Sequence, residues 1–332
     1  MKRIIFDTDI GTDVDDALAL ALAALSPELS LAGVTTVHAD APLRARIARH
    51  ILALAGRSDV PVVPGASLPL QMPLPSNFHW MPRLRGHEGQ GVLSAEELNP
   101  TADLSATQDD AARFIIEAAR ATPGELSIVA VGALTNVGRA LQLEPRLAHW
   151  LHDITLMGGL LDTTRVTWHP MLETNLNCDP LATRIVFASG VPLTVVPIEV
   201  TTQVYLTSEQ RAVMRAWHNP LADALVTLME HMLDGMASLS DEVGMANDIY
   251  AGRTYLHDPL AVYTSMAVEL VTTRRRHVAI EFIDDVVRTM PYADRTPNAW
   301  VCEQVDATAF VNFWLERIQS HAVRSAVHAT AH

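Results

Sequence analysis

The chain opens with a short apolar run, Ile4 to Phe6, that stops at Asp7. Short apolar runs bounded by turn residues read as buried strands, and apolar residues spaced by three and four read as helices. Lys2 to Phe6 is therefore a first strand and Asp15 to Leu25 a first helix, whose Ala and Leu residues on every side predict burial between a sheet and its neighbours. Leu29 to Val37 is a second strand, and Pro42 to Ala55 a helix whose arginines mark its wet face. The alternation continues with helix Gln108 to Ala121, strand Leu126 to Val131, helix Thr135 to Leu143, strand Asp153 to Met157, helix Pro180 to Ser189 and strand Leu193 to Pro197. Strand, helix and strand in repeated order demand right-handed crossovers. The expected fold is doubly wound α/β, with a mostly parallel central sheet and helices on both faces.

Two regions break the rhythm. Between Pro61 and Pro100 prolines cluster, and Gly86, Gly89 and Gly91 follow, which predicts a long irregular surface loop. From Thr207 to Tyr250 the pattern is amphipathic and helical with no strand between, an added helical lobe at about 207–250. Glu269 to Val287 and Ala299 to Val305 read as late strands, followed by a terminal helix from Ala307 to Ser320. A chain of 332 residues slightly exceeds the usual size of one core. The pattern predicts a single domain over 1–322 and a frayed tail over 323–332.

Composition narrows the function classes. Apolar residues make up 49% of the chain and charged ones 19%, so a large core is expected and disorder is not. The net charge is −14 and the longest basic run is Arg274-Arg275-Arg276, which argues against nucleic acid or an anionic membrane as partner. Lys2 is the only lysine, which removes Schiff-base and phosphate-loop lysine chemistry together. Cys178 and Cys302 have no metal-ligand spacing and read as small buried apolar groups. No apolar stretch is long enough for a signal peptide or a membrane span, so a soluble cytoplasmic protein is expected.

The chemistry concentrates in Asp7-Thr8-Asp9-Ile10-Gly11-Thr12-Asp13-Val14-Asp15-Asp16. A helix start explains Asp13, Asp15 and Asp16, because the helix dipole favours acids in the first turn. Asp7 and Asp9 remain. Carboxylates packed this closely at a strand end repel one another unless a cation, most simply a hard metal ion, lies among them. Other strand ends carry polar residues too: Thr35-Thr36-Val37-His38-Ala39-Asp40, and Gly132-Ala133-Leu134-Thr135-Asn136. In a parallel sheet they gather at the edge where such folds bind ligands. Asp258, in His257-Asp258-Pro259, reads equally as a helix cap or as part of that site.

These motifs resemble the nucleoside hydrolases, the inosine-uridine preferring N-ribohydrolases. The likeness lies in the aspartate cluster ending in Asp-Asp-Ala, Gly33-Val34-Thr35-Thr36-Val37, Val131 to Asn136, Met157-Gly158-Gly159, Glu173-Thr174-Asn175 and His257-Asp258-Pro259. The resemblance implies an N-glycosyl hydrolase with one Ca²⁺ that holds the ribose hydroxyls and the attacking water. It assigns Asp9, Asp16, Asp258 and the Val131 carbonyl to the metal, an all-oxygen set that suits calcium. Asp9 becomes the general base and His257 the acid for the leaving base, with an ordinary histidine range suited to neutral pH. Asp15, Asp40, Glu173 and Asn175 would bind the sugar; Trp168, His169, His87 and Arg85 are candidates for the base. A ribosyl-cation-like transition state and a homodimer or homotetramer are likewise implied.

The chain departs from the family pattern in three places. Asp9 to Asp15 is longer by two residues, which leaves Asp13 as a rival of Asp15 for the sugar. Asp40 stands where asparagine is common. Arg85-Gly86-His87 replaces a motif that usually begins His-Gly. Two other functions compete: a haloacid dehalogenase-like phosphotransferase, which shares Asp7-Thr8-Asp9, and a nucleoside-binding protein without turnover.

Overall fold

The computed structural model describes residues 1–72, 86–99, 107–165, 173–243, 252–283 and 286–329, with side chains to 235 and 323 in the two helices that end those stretches. Strand β1 (Lys2–Thr8) is followed by β2 (Leu29–Thr36), β3 (Val62–Pro64), β4 (Leu126–Ala130), β5 (Leu151–Met157), β6 (Leu193–Val196), β7 (Tyr205–Leu206), β8 (Thr254–Tyr255), β9 (Val271–Ile283), β10 (Val286–Tyr292) and β11 (Ala299–Val305). Nine of them form one sheet in the order β10-β9-β11-β6-β5-β4-β1-β2-β3. The run from β3 to β11 is parallel, whereas β9 pairs antiparallel with both β11 and β10.

The core lies on both sides of this sheet because side chains alternate along each strand. Ile4 and Phe6 pack in one apolar cluster with helices 15–25, 41–54 and 257–266, while Ile5 packs in the other with helices 110–121, 135–143 and 180–188. Helix Asp15–Leu25 is buried from Asp15 to Ala24, as its all-round apolar surface predicts. From β1 the chain winds outward to β2 and β3, then returns to place β4 on the other side of β1. The carboxyl ends of β1 and β4 therefore diverge at a topological switch point, where α/β sheets bind ligands.

Several expectations change. Part of the predicted irregular loop is ordered: Val62–Pro64 is an edge strand, where Pro64 removes no inner ladder bond, and Ala95–Leu98 is a helical turn. The single late strand expected over Glu269 to Val287 is an antiparallel hairpin of β9 and β10. In the expected lobe, helices Ser208–Arg215 and Pro220–Val243 are flanked by a two-stranded β7–β8 ribbon. The terminal helix runs from Ala307 to Ala329, beyond its expected end at Ser320. Among the described residues no helix is long and apolar enough to cross a membrane.

Candidate functional site

Strand β1 extends two residues past its apolar run, so Asp7 is a sheet residue and fully buried. Its Oδ1 accepts from Thr35 Oγ1 on β2 at 2.5 Å and from Asn136 Nδ2 at 2.7 Å. Asn136 also donates to Thr36 O and accepts from Ala66 N, so one buried carboxylate joins β1, β2 and the start of helix 135–143. Burial outweighs these bonds and raises the Asp7 pKa to about 7.

Beyond Thr8 the chain turns into the site. Asp9 is only half-buried and packs against Gly132, where a Cβ would stand 2.6 Å from Asp9 Oδ1. Only glycine lets the ends of β1 and β4 approach so closely, which sets Asp9 beside the residue that follows Val131. The Val131 carbonyl accepts from Asn175 Nδ2 at 2.8 Å, and a carbonyl oxygen keeps a second lone pair.

Asp15 and Asp16 begin helix 15–25, and Asp258 lies in the first turn of helix His257–Met266. The cap position of that second helix is Leu256, so Asp258 is not the helix cap that its sequence allowed. The oxygens of Asp15, Asp16 and Asp258 converge within 4.8 Å of one another, all buried. Two helix amino termini meet at this cluster, and the Asp258 N–H donates to Asp15 Oδ2 at 3.3 Å. Thr8 Oγ1 donates to Asp16 Oδ1. Burial first, and then mutual repulsion with Asp9 and Asp13, pushes all three carboxyls well above the usual range. Among the described residues this is the acidic group whose geometry suits a metal ion. Oxygen donors alone, in a setting that penalises uncompensated charge, fit a hard divalent cation.

His257 adjoins the cluster. Its Nδ1 lies 2.7 Å from Thr201 Oγ1, and its ring stacks on Tyr255 with centroids 5.0 Å apart. Burial lowers its pKa to about 4, opposed by Asp13, so the ordinary histidine range assumed from sequence does not hold here. Glu173, two residues before the Asn175 that holds the Val131 carbonyl, is buried. It accepts from Leu176 N at 3.2 Å and Asn177 Nδ2 at 3.4 Å, yet burial raises its pKa to about 7.

Other expected residues take different places. Asp40 caps helix Ala41–Leu54 through a 2.9 Å bond from Leu43 N to its Oδ1. His87 is buried with Nε2 2.9 Å from Thr12 O, fastening the aspartate loop to its neighbour. Asp13 accepts from Val14 N and acts electrostatically on His257 and on the three clustered acids. Arg85, Trp168 and His169 lie outside the described residues. Residues not singled out from sequence include Thr201, Tyr255, Glu88 and Arg44. Arg44, read as part of a wet face, is fully buried and bonded to the aspartate loop. Its signal was its spacing: Arg44, Ile47, Ala48 and Ile51 share the helical stripe that faces the core.

The family model for inosine-uridine preferring nucleoside hydrolase matches residues 4–312. A pyrimidine-specific ribonucleoside hydrolase of Citrobacter koseri is 30% identical, over 96% of this chain and 98% of its own length. Uridine nucleosidase 1 of Arabidopsis thaliana is 29% identical over 84% of this chain and 78% of its own. Among solved structures, a purine-preferring ribonucleoside hydrolase from Gardnerella vaginalis superposes with a TM-score of 0.76 at 28% identity, covering 97% of this chain and 99% of that one. The convergence of acids at the β1–β4 switch point and the match along nearly the whole length lead to the same place: the chain belongs to the inosine-uridine preferring nucleoside hydrolase family.

Proposed function

We propose that this N-glycosyl hydrolase cleaves ribonucleosides with water, releasing ribose and free base, and that its acidic cluster takes Ca²⁺. The observation that carries the reading is the convergence of buried Asp15, Asp16 and Asp258 beside half-buried Asp9 at the switch point. Asp9, Asp16, Asp258 and the Val131 carbonyl would hold the ion. Bound there, a divalent cation supplies Lewis acidity and a template for hydroxyl oxygens.

The remaining chemistry belongs to the chain. Asp9, the acid of the group most open to solvent, takes the proton of the attacking water. Asp15 offers a ribose hydroxyl the oxygen that Asp258 N–H leaves unused, and Glu173 and Asn175 bind the rest of the sugar. The concentration of negative charge stabilises the ring as it becomes cationic. In the tautomer that serves the reaction, His257, neutral near pH 7, donates from Nε2 to the departing base and accepts at Nδ1 from Thr201 Oγ1, 2.7 Å away.

The named base preferences of the relatives differ, so the preferred nucleoside is to be measured as kcat/KM across inosine, uridine, cytidine and adenosine with calcium present. Ribose release from at least one is expected; none from any, with calcium bound, would overturn the reading. Phosphate release from a phosphorylated substrate without ribose release would favour the phosphotransferase instead. Asp9→Ala is expected to lower kcat by ~10²–10³ with the fold intact. A loss smaller than tenfold removes Asp9 as base.

A further inference from the structure

We propose that Arg44 is a positioning residue of the hydrolytic site, holding the longer aspartate loop in register with the turn after β2. The proposal rests on the metal-assisted reading above. The guanidinium sits in the apolar stripe of helix 41–54 with no exposed surface. Burying a positive charge is costly unless its donors are used. Here they are: Nη1 donates to Ile10 O at 3.0 Å, Nη2 to Thr12 Oγ1 at 3.1 Å and Nε to His38 O at 2.8 Å. Three acceptors from two separate loops meet one rigid fork.

Both loops need such a tie. The segment from Ile10 to Asp13 joins Asp9, at the end of β1, to the Asp15–Asp16 pair at the helix start, so its path sets the distance between the proton acceptor and the clustered acids. After β2, His38 and Ala39 take left-handed backbone angles, φ 69° and 53°, without being glycine. Two such residues in succession are strained and persist where their surroundings over-determine them. Arg44 supplies one constraint and the 2.7 Å bond from His38 N to Ala66 O another.

Thr12 carries the tie further. Its hydroxyl accepts from Arg44 and donates to buried Glu88 Oε1 at 3.3 Å, and its carbonyl meets His87 Nε2 at 2.9 Å. The extra length of the aspartate loop is thus pinned from three directions. The Arg44 charge also acts on Asp16, the acid shared by the loop and the cluster. A lysine would keep that charge, but an ammonium cannot reach three acceptors in the directions a guanidinium spans.

The test uses Arg44→Lys, Arg44→Met and Thr12→Val in the full chain. Calcium binding is measured by calorimetry, turnover of the best nucleoside as a function of calcium, and folded fraction by circular dichroism. Arg44→Lys and Thr12→Val are expected to raise the calcium concentration for half-maximal rate about tenfold, with excess calcium restoring most of kcat. Arg44→Met is expected to be worse than Arg44→Lys in every readout. A purely structural role would lower activity with the folded fraction and leave the calcium dependence unmoved. The proposal is overturned if Arg44→Lys and Thr12→Val bind calcium and respond to it within twofold of the unsubstituted protein. If the unsubstituted protein binds calcium but releases no sugar, calorimetry alone decides for or against Arg44, and the proposed hydrolysis fails separately. Absence of calcium binding in the unsubstituted protein overturns both.

Discussion

Two sets of acids are buried in this protein to the same depth and built in opposite ways. Asp7, Asp179 and Glu173 each accept hydrogen bonds from neutral donors. Asp179, for example, accepts from Leu70 N at 2.7 Å, Thr135 Oγ1 at 2.9 Å and Ala182 N at 2.9 Å. Asp15, Asp16 and Asp258 face one another, Asp15 accepting from the Asp258 N–H and Asp16 from Thr8 Oγ1. Burial raises the pKa in both sets, so the shift does not separate them. Their partners do. An acid ringed by amides and hydroxyls stitches the fold together, whereas acids ringed by acids call for a cation from outside.

Removing one acid from the second set should give the largest effect. Asp258→Asn is expected to lower kcat/KM by ~10³, about 4 kcal/mol of transition-state stabilisation. In the unsubstituted protein, calcium at a hundred times its dissociation constant should add about 2.7 kcal/mol of stability, and this gain should vanish in the variant. Melting with and without chelator reads it directly; an undiminished calcium response would place the ion elsewhere. The first set should answer differently. Asp7→Ala strands Thr35 Oγ1 and one N–H of Asn136 Nδ2 in the core, an expected loss of about 3 kcal/mol with or without calcium. A loss seen only with calcium would move Asp7 into the other set.

This division was half legible in the sequence. Repulsion among the aspartates and the polar strand ends can be read from spacing alone, because a parallel sheet brings strand ends together wherever the chain goes between them. That Asp258 joins Asp15 and Asp16 depends on helix 257–266 packing against helix 15–25, a contact across more than 200 positions that no local pattern carries. The resemblance to a family supplied it. Local signals misled where tertiary context reversed them. Prolines at 61 and 64 read as loop because a strand interior excludes them, yet β3 lies on the sheet edge. Arginines read as wet face because most are, yet Arg44 finds enough acceptors to be buried. His257 was assigned an ordinary pKa range because its burial is not a property of its neighbours in sequence.

A pH measurement sharpens the comparison further. Burial raises the Glu173 pKa from 4.5 to about 7. The folded state therefore holds a proton that the unfolded chain releases, and the associated stability is complete below pH 4.5 and lost as pH rises through 7. Glu173→Gln, an isostere of the neutral acid, should match the unsubstituted protein near pH 4.5. By pH 8 in chelator it should be more stable by about 3 kcal/mol. Parallel stability curves for the two proteins from pH 4.5 to 8 would show that Glu173 titrates as it does in the unfolded chain.

Asp40 tests the boundary between the sets with the smallest effect. The sequence places it among sugar contacts at the end of β2; the structure gives its Oδ1 to the first turn of helix 41–54. Loss of such a cap costs about 1 kcal/mol, and serine can replace it because its hydroxyl also accepts from the helix N–H. Asp40→Ala is expected to lose that stability and Asp40→Ser to regain it, with KM for the best nucleoside within threefold in both. If Asp40→Ser melts normally but KM rises tenfold, the second carboxylate oxygen holds a sugar hydroxyl. One residue would then serve both the helix and the site.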